Sequence, residues 1–143
     1  MRFAAALLFV ALLQYDDARA CFVPYHGDKY DSTIELQAAD DAGYFEAEFP
    51  WRIDDLWVRS AEVAYYDATS NPAFLTPLQF DELDIEGNNR VAKVRFRPTF
   101  RPNILVALRV NWDVAPWVVG GCSATGTMFF DARGQQLQLS YGK

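Results

Sequence analysis

The sequence predicts an all-β domain, an antiparallel β-sandwich with a small β-barrel as the alternative. Three observations predict it. Apolar residues alternate with polar ones along most of the chain, which marks strands with one buried face and not amphipathic helices. Clusters of Gly, Pro, Asn and Asp interrupt these runs roughly every 8–12 residues, the spacing of sandwiches and barrels. No segment carries a helical apolar pattern for more than a turn or two, and Trp51–Leu56 is the one candidate.

The first twenty residues stand apart from this pattern. Met1-Arg2 is followed by the unbroken apolar run Phe3–Leu13, a polar stretch, and Ala18-Arg19-Ala20. That order is the layout of a secretory signal peptide, and the run is too short to span a bilayer. Cleavage is expected after Ala20, leaving residues 21–143 as one domain that is secreted or periplasmic. Ala18 stands where a lipid-attachment box carries Leu, which argues against acylation of Cys21. Removing Arg2, Arg19, Asp16 and Asp17 keeps the net charge at −6. An acidic domain is a poor match for nucleic acid or anionic lipid, and no later stretch is apolar for long enough to be an integral membrane segment. Cys21 and Cys122 make an even pair in an oxidising compartment and are expected to form a disulfide.

The strands follow in order. Ser32–Ala38 and Tyr44–Phe49 alternate on either side of the turn Asp40-Asp41-Ala42-Gly43, and Pro50 ends the hairpin. Val58–Tyr66 sets Ala61, Val63 and Tyr65 on one face. Asn71-Pro72 and Thr76-Pro77 predict an irregular stretch. Leu78–Glu86 and Val91–Arg97 predict a hairpin about Gly87-Asn88-Asn89-Arg90. Asn103–Trp112 is the clearest strand, with Ile104, Val106, Leu108, Val110 and Trp112 on one side. Trp117–Phe130 is interrupted by Gly120-Gly121 and Gly126, which predicts a bulge or two short strands. Gln136–Tyr141 closes the chain. Eight or nine strands in this order look like an immunoglobulin-like sandwich.

The sequence is poor in catalytic signals. His26 is the only histidine. A Ser-His-Asp or Cys-His site would need it as base, yet no nucleophile elbow lies near it. Zinc or copper would need several His or Cys ligands, and none of the acidic pairs fits a twelve-residue calcium loop. The expectation is a non-enzyme with no metal and no cofactor. The basic run Arg90–Arg101 reads in two ways, as a docking stripe or as a self-neutralised sheet face. In the second reading, a four-residue turn sets Asp84 opposite Lys93 and Glu82 opposite Arg95, with Leu83 on Val94 and Ile85 on Ala92.

The aromatic residues carry the functional expectation. Trp51 and Trp57 bracket one connection, and Trp112 and Trp117 bracket another. In an immunoglobulin-like sandwich the two connections emerge at the same end. Trp51, Trp57 and Trp117, with Arg52 and Asp113, are therefore the expected binding residues. Trp112 continues a buried-face alternation and is expected in the core. The predicted function is a non-enzymatic binding or interaction domain for a protein or carbohydrate ligand. The alternatives are a carbohydrate-binding module, a small carboxylate-dependent hydrolase, and an extracytoplasmic assembly factor that presents a sheet edge.

Overall fold

A computed structural model of the chain describes residues 27–67, 72–79, 81–84, 90–114 and 122–138. The expected signal peptide, Cys21, His26 and Trp117 lie outside the described residues. Among the described residues a one-turn helix, α1 (Asp28–Asp31), precedes nine strands. These are β1 (Glu35–Ala38), β2 (Phe45–Pro50), β3 (Arg52–Ile53), β4 (Leu56–Tyr66), β5 (Pro72–Leu78), β6 (Asp81–Asp84), β7 (Arg90–Phe96), β8 (Leu105–Asp113) and β9 (Ala124–Phe130).

The strands form two antiparallel sheets that pack face to face and do not close into a barrel. One sheet has the order β1-β2-β7-β6. The other runs β4-β8-β9, with β3 and β5 both pairing the free side of β4 at different points along its length. This is the strand order of an immunoglobulin-like sandwich, with β5 as the additional strand beside the third.

Alternation sets the core. Phe45, Ala47 and Phe49 of β2 face inward, opposite Phe96, Val94 and Ala92 of β7. Val106, Leu108, Val110 and Trp112 of β8 are the facing residues of the second sheet, each 1% exposed or less. Phe45, Phe96, Phe100 and Phe130 cluster at one end of the core. Trp112 fills the other end, where its Nε1 donates to the carbonyl of Pro50 across the sandwich at 2.9 Å. Tyr30 and Ile34 close the side between the sheets, and the Tyr30 and Trp112 rings lie 6.3 Å apart.

Four expectations are corrected. Trp51–Leu56 is not helical: β3 and β4 meet as a hairpin, Ile53 opposite Leu56, about the two-residue turn Asp54-Asp55. Asp54 takes φ 52°, a left-handed conformation that Asp tolerates and that a helix excludes. The segment 72–78 is a strand, because prolines are compatible with an edge and, among the described residues, β5 pairs only with β4. Gly126 marks no bulge, since the β8–β9 register is continuous through it. A Cβ there would sit 2.9 Å from the Tyr30 carbonyl oxygen and 3.0 Å from the Trp112 ring, so glycine lets α1 approach the sheet. The strand expected at Gln136–Tyr141 is reduced, within the described residues, to a single bridge from Gln136 to Phe130.

The second hairpin also has a different register. Leu78–Glu86 is not one strand: its start belongs to β5 in one sheet and its centre is β6 in the other. Asp81, not Asp84, stands opposite Lys93, while Glu82 faces Ala92, Leu83 faces Val91 and Asp84 faces Arg90. The basic face is neutralised from β2 instead. Glu48 stands opposite Lys93 and Glu46 opposite Arg95. Lys93 Nζ lies 3.4 Å from Glu46 and 3.2 Å from Glu48, and Arg95 pairs with Asp41 in the first turn.

Candidate functional site

The site is built where the chain changes sheets. Pro50 is the last residue of β2, and Trp51 belongs to both layers. Its N–H donates to Arg90 O in the first sheet, and its carbonyl accepts from Val58 N in the second, each at 2.9 Å. The chain then makes the tight β3–β4 hairpin, in which Arg52 stands directly opposite Trp57. Residues opposite each other in an antiparallel pair share a face, so the cation and the indole meet.

The Arg52 guanidinium lies over the Trp57 ring, 5.3 Å from its centroid. It is held there from behind. Its Nη2 donates to Asp55 Oδ1 at 2.8 Å and its Nε to the Asp54 carbonyl at 3.0 Å. Asp54 in turn accepts from Lys29 Nζ at 2.5 Å, which ties the hairpin to α1. That bond, aided by the Asp54 charge, raises the Lys29 pKa above its ordinary value. A platform fixed in advance loses little conformational freedom when something lands on it.

Trp57 is 37% exposed, a large share for an indole anchored on a strand. It stands at a cleft of about 790 Å³, whose other aromatic wall is the half-buried Trp51. Clefts of about 300–1,000 Å³ are the usual size for small-molecule ligands. Two carboxylates, Glu35 and Glu48, and two guanidiniums, Arg52 and Arg90, also line it, with Thr33 at one side. Glu35 and Glu48 face each other directly across the β1–β2 pair. The lining charges therefore balance in a chain of net charge −6.

Of the expected binding residues, Trp51, Arg52 and Trp57 come together at this cleft. Asp113 is opposite Trp57 in the sheet but does not line the cleft, and its Oδ1 accepts from Val114 N at 2.8 Å. It shapes the exit of β8. Trp117 lies outside the described residues. Trp112 is in the core, as its alternation predicts.

Glu35, Glu48, Arg90 and Thr33 were not among the expected binding residues. The first two were within reach of the sequence. The turn Asp40–Gly43 fixes the pairing Ala39 to Tyr44, and counting back from it sets Glu35 against Glu48. Arg90 had no such signal, because it reaches the cleft through the Trp51 crossover. Among the described residues there is no group of three or more His, Cys, Asp or Glu placed to hold a metal ion. No described helix is long and apolar enough to cross a membrane. Compared with known proteins, the chain matches no family model, no curated protein and no solved structure.

Proposed function

We propose that the chain is an extracytoplasmic, non-enzymatic binding domain whose ligand seats in the cleft beside Trp51, Arg52 and Trp57. The observation that carries this reading is the exposed Trp57 ring, held by Arg52 at the mouth of a cleft of ligand size. Exposed apolar surface beside a concave polar rim is the usual mark of an interaction site. The test is Trp57→Ala. Ligand capture falls at least tenfold, while stability changes by about 1 kcal/mol or less, the scale of one exposed cation–π contact. A large loss of stability with capture unchanged would make Trp57 a packing residue.

The extracytoplasmic part rests on the N-terminal layout and on the Cys21–Cys122 pair. Intact mass of the exported protein should start at Cys21 and be short by the two hydrogens of one disulfide. Reduction, or Cys122→Ser, should then lower stability by about 2–5 kcal/mol. A mass that includes residues 1–20, or two freely alkylated thiols, would remove this part.

One observation favours a hydrolase as the second reading. Glu35 and Glu48 share the cleft, and directly opposed positions hold Cβ atoms about 4.5–5.5 Å apart. From Cβ atoms that close, the two carboxyl groups can reach the spacing of retaining glycosidases, about 5–5.5 Å. Glu48 is also engaged by Lys93, which suits a structural role in the sheet. Product release from an oligosaccharide that Glu35→Gln abolishes would establish the hydrolase and remove the non-enzymatic reading.

A further inference from the structure

We propose that the ligand of this cleft is a neutral glycan, with one pyranose ring stacked on the Trp57 indole. The inference rests on the binding reading above and adds the chemical class. Three features of the lining converge on it.

The first is the platform. One face of the Trp57 ring is occupied by the Arg52 guanidinium. The opposite face is an apolar plane, suited to the flat C–H face of a sugar ring. The second is charge. Glu35 and Glu48 offset Arg52 and Arg90 within the cleft, while the chain as a whole carries −6. An anionic ligand would approach against the net field, and a strongly cationic one would meet two guanidiniums. A neutral ligand meets neither.

The third is the balance of donors and acceptors. Carboxylates only accept and guanidiniums only donate. Arg52 is already held by Asp55 and the Asp54 carbonyl, and Glu48 by Lys93. Glu35 is therefore the lining carboxylate that a ligand must satisfy, and a hydroxyl can both donate to it and accept from a neighbour. Glu35 would accept from a hydroxyl of the sugar. A polyproline peptide, the other common guest of tryptophan-lined grooves, offers carbonyl acceptors and no backbone donors. It would leave Glu35 facing acceptors.

The experiment uses the mature chain and three uncharged probes: cellohexaose, N-acetylchitohexaose and a polyproline peptide. Binding is followed by the indole N–H resonances, with Trp57 assigned from Trp57→Ala. At least one oligosaccharide shifts the Trp57 signal in a saturable way at micromolar to millimolar concentration. Trp57→Ala weakens that binding at least tenfold, and Glu35→Gln weakens it several-fold, with unchanged melting. Trp57→Phe, which keeps a stacking face, retains part of the affinity.

If the peptide shifts Trp57 and neither oligosaccharide does, the glycan is overturned and the binding cleft stands. If no probe shifts Trp57, both the glycan and the cleft are overturned. Saturable binding that Trp57→Ala leaves intact would place the sugar elsewhere and also overturn the inference.

Discussion

Single residues decide how the Trp112 end of this sandwich is at once sealed and open. Trp112 is fully buried and bonded to Pro50, while Trp57 is one residue from the β4 terminus and open to solvent. Trp112→Phe removes the Nε1–H donor and part of the ring, so it should cost about 2 kcal/mol or more in chemical denaturation. Gly126 is the complementary case, a position defined by what it lacks. Its neighbours on the Cβ side include the Tyr30 backbone, which cannot rotate away as a side chain would. Gly126→Ala should destabilise by about 1–3 kcal/mol through overpacking. Gly126→Ala combined with Ile34→Val, which clears one of the three neighbours, should recover little of the loss. Full recovery would show that Ile34 and not the α1 backbone sets the limit.

At the scale of the strand, charge and register are linked. Lys93 sits between Glu46 and Glu48, and the hydrogen bonds it donates to both, Glu48 first, hold its pKa above the ordinary 10.5. A raised lysine contributes stability while it is charged. That contribution is complete below the unfolded value and is lost as pH rises through the raised one. Lys93→Met should therefore lower the urea midpoint at neutral pH, and the gap to the parent should close above about pH 10.5. A gap that is constant with pH would assign the effect to packing of the lysine stem.

The legible and illegible strands differ for a physical reason. The β1–β2 hairpin was readable because its turn, with Gly43 at φ 79°, and its alternation specify the same register. The β8 strand was readable because four apolar side chains alternate without a break. The second hairpin was not, because Leu78–Glu86 is divided between two sheets and a local pattern does not record the division. The slip is three residues, and an odd slip exchanges the faces. β4 contains a similar trap. Val58 and Ala61 both point inward although their spacing is odd, because a bulge between Val58 and Ser60 adds a residue. In the site, Arg52 and the two tryptophans were visible as a cluster, whereas Arg90 enters only through tertiary pairing.

Across the whole molecule, the open edges of the second sheet are managed in different ways. β5 carries prolines, which withhold donors from an incoming strand. β9 is masked: Asp31 of α1 accepts from Thr127 N at 2.7 Å, and Leu137 N donates to Phe129 O at 2.8 Å. The sheets themselves are joined at Trp51, whose two backbone groups are bonded in opposite layers. That crossover makes the hairpin a poor candidate for independent breathing. Releasing the Trp51 amide means parting it from the β7 end, and releasing the Val58 amide means parting β4 from the carbonyl of the same residue. Under native-state hydrogen exchange the two amides should respond to denaturant with the same slope, as members of one cooperative unit. Exchange of Trp51 through a shallow local opening, with Val58 still protected, would mean that the sheets come apart at this end separately. With a shared slope, the cleft exists only in molecules whose two sheets are locked together.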